Sequence, residues 1–203
     1  MRVILASKSP RRKEILSMLG IDFTVMSADA DESSSLSDPH ELVRELSLRK
    51  GRALREQLMQ SGDWDDDTLI IAADTVVATK EEILGKPKDD ADTRRMLSLL
   101  SGTEHTVVSG IALLIGDKED ADTDETAVSF APMSSDEIDW YVASGEPADK
   151  AGAYAVQGLA SLFIRGLRGD YFNVVGFPVH QFHLALHRLL GFGADVLAEK
   201  SKK

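Results

Sequence analysis

The first twenty residues, MRVILASKSPRRKEILSMLG (residues 1–20), predict how this chain begins to fold. The apolar run Val3–Ala6 is typical of a short buried strand. Ser9 can cap a following helix whose first residue would be Pro10, and Gly20 is a residue type that ends helices. The stretch therefore predicts a strand that leads directly into a helix.

Two arginines fall in the first turn of this predicted helix. Arg11 and Arg12 lie where the helix dipole disfavours positive charge. A bound anion would explain their position, because free N–H groups and two guanidinium groups would converge on it. The first twenty residues carry five basic residues and one acidic residue, whereas the whole chain has a formal net charge of −11. We interpret the segment as a phosphate-binding site, with an exposed basic helix start as the alternative.

The composition limits the class of protein. The 203 residues, 43% hydrophobic and 28% charged, are typical of one substantial globular domain or of two lobes that share a sheet. The chain has no cysteine, which excludes disulfides and thiolate sites and predicts a cytoplasmic location. No apolar run approaches the roughly 18 residues of a membrane span. We therefore expect no membrane partner. Because an acidic chain repels polyanions, we also expect no nucleic-acid partner.

The most hydrophobic stretch is TLIIAADTVVA (residues 68–78), which predicts a central strand buried on both faces. Asp74 lies in its middle. A carboxylate in such a run costs several kcal/mol unless it is paired, hydrogen-bonded or bound to a metal. We interpret Asp74 as a functional-site residue, and a structural ion pair is the alternative.

Further helices and strands follow along the rest of the chain. Further helices are predicted at 38–60, 89–100, 133–144 and 174–190, and further strands at 21–26, 105–115, 122–130 and 161–164. An acidic hairpin loop is expected at 116–121, and the long loop 145–158 is expected to be functional. We expect one domain over residues 1–190 and a partly disordered tail over 191–203.

Three histidines lie on one side of the last predicted helix, at His180, His183 and His187. Since no carboxylate joins them at a useful spacing, we interpret them as surface residues and not as a metal site.

Common catalytic motifs are missing from the sequence. It contains no P-loop, no dinucleotide-binding glycine pattern, no zinc-protease motif and no nucleophile elbow. What remains is a set of candidate anion-binding residues and isolated carboxylates, namely Ser7, Arg11, Arg12, Lys86, Glu32 and Asp74. That combination favours phosphate-ester chemistry, in which oxygen ligands hold Mg²⁺ or Mn²⁺ and cations neutralise the transferred group. A carboxylate there can also take a proton from an attacking water.

Six segments together resemble the Maf family of nucleoside triphosphate pyrophosphatases, also called septum-formation inhibitors. They are SKSPRR (7–12), ADTVV (73–77), LGKP (84–87), SGTEH (101–105), DKAGAY through QG (149–158) and NVVG (173–176). The segments occur in the order that the family shows, and the resemblance extends from about Leu5 to Pro178.

This resemblance implies a fold and a reaction. The fold would be an elongated, two-lobed α/β structure with a mixed sheet, flanking helices and a central cleft, related to inosine triphosphate pyrophosphatases. The reaction would be hydrolysis of a nucleoside triphosphate to the monophosphate and pyrophosphate, with a divalent cation, Mg²⁺ or Mn²⁺. A homodimer is also implied. A non-catalytic, nucleotide-binding regulator of cell division and a phosphatase that releases orthophosphate are the alternatives.

The resemblance also implies residue roles. Asp74 would accept a proton from the attacking water and, with Glu32, hold the metal. Residues that would bind the triphosphate are Ser7, Arg11, Arg12 and Lys86, with Lys50 as a further candidate. Thr75 and Gln157 would shape the specificity pocket.

The expected substrates are dTTP and UTP, with modified pyrimidine nucleotides as the alternative. The arginine pair resembles the branch of the family that hydrolyses them, which makes Arg12 a specificity residue as well. The amide of Gln157 can pair with O4 and N3–H of thymine or uracil. Two departures from the family pattern are Ala155, where glycine is usual, and Phe177, where leucine is common. Ala155 adjoins the expected base pocket.

Overall fold

The structure is a computed structural model that describes residues 1–202. Its strands are β1 (Arg2–Ala6), β2 (Thr24–Met26), β3 (Thr68–Ala78), β4 (Ile83–Leu84), β5 (Glu104–Ile115), β6 (Lys118–Phe130) and β7 (Ile164–Arg168). Its α-helices are α1 (Pro10–Met18), α2 (Pro39–Ser61), α3 (Asp90–Leu100), α4 (Ser135–Ala143), α5 (Tyr171–Val175), α6 (Val179–Leu190) and α7 (Ala194–Lys200). Among residues 1–202, no helix has both the length and the apolar character that a membrane crossing requires.

The strands form one mixed sheet in the order β2-β1-β3-β5-β6-β7, and β4 pairs with β3. β1 runs parallel to both β2 and β3, with Leu5 opposite Val25 on one side and Ile71 on the other. β4 pairs antiparallel with β3, and β7 pairs antiparallel with β6. The predicted α/β class with a mixed sheet is confirmed, and β3 is the internal strand that its hydrophobic sequence predicts.

Contacts divide the described residues into two compact units. The first unit contains residues 1–74, 109–124 and the chain from 176 onward; the second contains 75–108 and 125–175. In the first unit, Leu54 and Leu58 of α2 share a buried cluster with apolar residues of β1 and β3. In the second, apolar residues of α3 and α4 are buried with others from β5 and β6. The predicted domain over 1–190 stays a prediction.

Local signals placed most helix ends correctly. Asp38 caps α2 by accepting a hydrogen bond from the N–H of Glu41 at 2.9 Å. Ser134 and Glu137 form a reciprocal capping box at the start of α4. Gly20 follows α1 with a φ of +72°, a left-handed conformation that favours glycine.

The hairpin between β5 and β6 is tighter than predicted. Its loop consists of Gly116 and Asp117, because the acidic residues predicted as loop at 118–121 belong to β6. These acids are paired with arginines from helices of the same unit: Glu119 with Arg52 and Arg55, and Asp120 with Arg188. Pairing with helical arginines lets an acidic segment form a strand, so the loop prediction was right for residues 116–117 and wrong for 118–121.

The second half of the chain contains two further corrections. Residues Leu159–Leu162 form a 3₁₀ helix and β7 begins at Ile164, so the strand predicted at 161–164 lies farther along the chain. The predicted helix 174–190 is two helices, α5 and α6. In the tail predicted over 191–203, residues Ala194–Lys200 form α7; Lys203 lies outside the described residues.

Candidate active site

The turn between β1 and α1 has the geometry of an anion site. Ser7 is buried, and its Oγ accepts hydrogen bonds from the N–H of Ser9 and from Nη1 of Arg12, each at 3.2 Å. Ser9 is the N-cap residue of α1, but its side chain makes no capping hydrogen bond, and Pro10 follows it. The first turn of α1 therefore has no side-chain cap, which leaves its N-terminal N–H groups available to an anion.

Arg12 connects three segments of the first unit. Its Nε donates to the carbonyl oxygen of Gly176 at 2.8 Å, and its Nη1 donates to the carbonyl oxygen of Ala73 at 2.7 Å as well as to Ser7. Burial lowers the pKa of Arg12, and the negative charges of Asp74 and Glu32 oppose that shift. Arg12 is thus a half-buried residue held beside two carboxylates, unlike the exposed helix start that was the alternative.

Asp74 forms an ion pair with Lys50 of α2, and Nζ of Lys50 also lies 3.1 Å from Oε1 of Glu32. The Lys50 and Asp74 side chains are 18% and 14% exposed, whereas Glu32 is 62% exposed. Lys50 contacts Oδ1 of Asp74. Within residues 1–202, Oδ2 of Asp74 has no hydrogen-bond partner. The buried carboxylate therefore has a cationic partner and keeps one oxygen for another ligand or for a proton.

The carboxylates of Glu32 and Asp74 suit a metal that the substrate helps to bind. Across residues 1–202, no group of three or more His, Cys, Asp or Glu side chains is arranged to hold a metal ion. Glu32 and Asp74 nevertheless both contact one positive charge, the ammonium of Lys50. Mg²⁺ in phosphate-processing sites commonly uses one or two carboxylates and completes its shell with substrate phosphates and water. Two convergent carboxylates fit that pattern.

The structure brings five of the predicted site residues together in the first unit: Ser7, Arg12, Glu32, Lys50 and Asp74. Arg11 is half-buried at the second position of α1, and no side-chain hydrogen bond of Arg11 is found within residues 1–202. Lys86, Thr75 and Gln157 belong to the second unit. There, Lys86 and Gln157 are exposed, and Thr75 is half-buried on β3.

Lys50 pairs directly with Asp74, yet the sequence offered it only as a further candidate for phosphate binding. The missed signal is its position on α2. Val43, Ser47 and Leu54 are buried, and Lys50 follows the same spacing of three and four residues. A lysine on the buried face of an amphipathic helix needs an anionic partner, and Asp74 supplies it.

Two of the three histidines on α6 contact each other. The rings of His183 and His187 meet edge to face, with centroids 4.7 Å apart. Nδ1 of His183 accepts a hydrogen bond from the N–H of Ala194 at 3.2 Å. That bond occupies Nδ1 of His183 and ties α6 to the start of α7.

The fold and the site define a mixed α/β protein in which an uncapped helix start lies near two carboxylates that share one lysine. Comparison with known proteins identifies the family. The model of the family described as Maf-like protein matches residues 2–189. The chain belongs to the Maf family.

Several relatives are similar over nearly the whole chain. The chain is 46% identical to the dTTP/UTP pyrophosphatase of Symbiobacterium thermophilum, over 89% of this chain and 90% of that protein. It is 42% identical to the dTTP/UTP pyrophosphatase of Agathobacter rectalis, over 96% and 99% of the two chains. The protein of the same name from Bacillus cereus is 39% identical, over 96% and 97%.

A solved structure supports the fold. The Ham1 protein of Staphylococcus aureus has a TM-score of 0.50 and 13% sequence identity, with all of both chains covered. At this identity the likeness concerns the fold alone.

Proposed function

We propose that this chain hydrolyses nucleoside triphosphates, chiefly dTTP and UTP, to the monophosphate and pyrophosphate. The proposal is supported by relatives named dTTP/UTP pyrophosphatase that are 39–46% identical over most of the chain. The observation that carries the chemistry is the placement of Asp74. A carboxylate on a buried strand is paired with Lys50 through one oxygen and lies beside Arg12.

In this proposal Asp74 is the proton acceptor. Its Oδ2, which has no hydrogen-bond partner within residues 1–202, takes a proton from a water molecule as the water oxygen attacks the α-phosphorus. The bond from the α-phosphorus to the bridging oxygen breaks, and that oxygen leaves with pyrophosphate. Lys50 holds Oδ1 of Asp74 and so fixes the direction of the carboxylate.

The phosphate groups are bound by the start of α1 and its neighbours. Uncapped N–H groups, the hydroxyl of Ser7 and the guanidinium of Arg12 converge at this turn. Donors fixed before the substrate arrives stabilise developing negative charge without reorganising. Arg11 and Lys86 are the further phosphate-binding residues that the family resemblance implies.

A divalent cation, Mg²⁺ or Mn²⁺, would be held by Glu32 and Asp74. When bound, it would neutralise charge on the triphosphate oxygens. Lys50 already contacts both carboxylates, so its ammonium keeps their negative charges together when no metal is bound.

Isotope labelling tests the reaction and separates it from the alternatives. We expect turnover of UTP in ¹⁸O-labelled water to give labelled UMP and unlabelled pyrophosphate. Labelled orthophosphate would instead support the phosphatase alternative, and binding without turnover would support the regulator. A panel of canonical and modified triphosphates, assayed with Mg²⁺ and with Mn²⁺, would then identify the preferred substrate and metal.

A further inference from the structure

We propose that Arg49 is a positioning residue for Glu32, and that it acts by hydrogen bonding to the backbone on both sides of Glu32. The inference rests on the proposed function, in which Glu32 contributes to metal binding. Nη1 of Arg49 donates to the carbonyl oxygen of Ser33 at 2.7 Å and to that of Asp31 at 3.3 Å. One nitrogen thus joins the two residues that flank Glu32.

The segment that carries Glu32 needs hydrogen bonds of this kind to stay in one conformation. Residues 27–36 form neither helix nor strand, and 27, 29 and 31–36 are exposed. Ordering an exposed segment costs conformational entropy. The ion pair of Glu32 with Lys50 involves a mostly exposed carboxylate, and exposed ion pairs contribute little to stability. That ion pair alone therefore does not hold Glu32 in place.

Arg49 is itself oriented by its own helix. Its Nε donates to Oε1 of Glu45, one turn earlier on α2, at 2.8 Å. The guanidinium group is planar, so fixing Nε also fixes the direction of Nη1. Within the segment, Oδ1 of Asp31 accepts a hydrogen bond from the N–H of Ser33 at 2.9 Å, which closes a tight turn around Glu32.

Lys50 and Arg49, which are adjacent on α2, contact different parts of the segment around Glu32. Lys50 contacts the carboxylate of Glu32, and Arg49 contacts the backbone of the residues on either side of it. Because Lys50 also holds Asp74, α2 fixes the relative positions of both carboxylates. Loss of Arg49 should therefore weaken what Glu32 contributes and leave the Lys50–Asp74 pair intact.

A double-mutant cycle tests the proposal. We expect Arg49→Met to lower kcat for UTP about tenfold and to weaken Mn²⁺ binding about tenfold, since both depend on Glu32. Mn²⁺ binding would be measured by electron paramagnetic resonance with saturating α,β-methylene-UTP, which cannot be hydrolysed at the α-phosphorus. In a Glu32→Gln background, Arg49→Met should change neither quantity more than about twofold.

Two further variants complete the design. Arg52→Met removes an arginine of the same helix that pairs with Glu119, and we expect it to match wild type. Arg49→Lys keeps the charge but not the planar fork, so it should resemble Arg49→Met; its folding is checked by thermal unfolding.

The outcomes separate this inference from the proposed function. If wild type releases pyrophosphate and Arg49→Met behaves like Arg52→Met, the positioning role is wrong and the hydrolase proposal stands. Additive effects of Arg49→Met and Glu32→Gln also overturn the positioning role. If wild type neither binds Mn²⁺ with the analogue nor releases pyrophosphate, both proposals fail.

Discussion

Lys50 contacts Asp74 through an ion pair in which both side chains are largely buried, and it joins α2 to the central strand β3. The same ammonium contacts Glu32. A half-buried lysine shared by two carboxylates resembles a cation in a metal site more than a surface charge.

Removing the ammonium of Lys50 should lower activity. In Lys50→Met, Asp74 loses its fixed direction and two carboxylates repel each other. We expect kcat/KM for UTP to fall about 10- to 100-fold, the equivalent of one lost charge-assisted hydrogen bond. Lys118→Met, at the exposed start of β6, is the control and should match wild type. Equal kinetics for the two variants would remove Lys50 from the site.

Lysine should not replace Arg12, because the hydrogen bonds of Arg12 come from several N–H donors of one planar guanidinium group. A single ammonium cannot reach Gly176, Ala73 and Ser7 together. We expect Arg12→Lys to raise KM for UTP and to lower the free energy of unfolding by about 2 kcal/mol or more. Arg11→Lys, at the preceding position, should leave stability unchanged within about 0.5 kcal/mol. Chemical denaturation measures the free energy of unfolding of both variants. Similar losses of stability in Arg12→Lys and Arg11→Lys would contradict the role of the Arg12 guanidinium.

His105 should make the protein less stable in acid. It is buried beside Phe130 and Tyr154, with its Nε2 2.8 Å from the Tyr154 hydroxyl, and burial lowers its pKa from 6.5 to about 4. The unfolded chain therefore binds a proton at a higher pH than the folded chain. The contribution of His105 to the free energy of unfolding is fully present above pH 6.5. It declines by about 3 kcal/mol as the pH falls to about 4.

A variant that does not titrate isolates this effect. His105→Gln keeps a polar partner for Tyr154 but has no ionisable ring. Denaturation between pH 4 and 6.5 should therefore show a shallower loss of stability in His105→Gln than in wild type. Parallel curves would mean that His105 does not carry the acid sensitivity.

Gly110 should not tolerate a side chain. A Cβ at this position of β5 would lie 2.5 Å from the carbonyl oxygen of Val43 and 2.8 Å from Oγ of Ser47, both on α2. Backbone cannot move aside as a flexible side chain can, so we expect Gly110→Ala to cost about 3 kcal/mol. Gly166→Ala is the control, because nothing lies within 4 Å of a Cβ there. Similar melting temperatures for the two variants would show that α2 and β5 can separate at little cost.

Local patterns predicted the fold well where one segment contains the whole signal. β1, α1 and β3 follow directly from an apolar run, from Pro10 with Gly20, and from a hydrophobic run of eleven residues. The buried carboxylate of Asp74 could be identified for the same reason, since its cost is visible in its own strand.

The rest depended on contacts between distant segments. The acids at the start of β6 look like a loop until arginines of α2 and α6 are placed beside them. Lys50 and Arg49 likewise look like surface charges until Asp74 and the segment around Glu32 are brought to α2. Single-sequence patterns do not contain such pairings, because they arise only when the chain has folded.

The central claim is that Asp74 accepts the proton of the attacking water, and Asp74→Asn tests it most directly. An amide keeps the size of the side chain and can accept the hydrogen bond of Lys50, but it cannot take the proton. We predict that, without added divalent cation, the purified variant binds α,β-methylene-UTP as tightly as wild type by calorimetry, while pyrophosphate release from UTP with Mg²⁺ slows by about 100- to 10,000-fold. Pyrophosphate release at the wild-type rate would contradict the account.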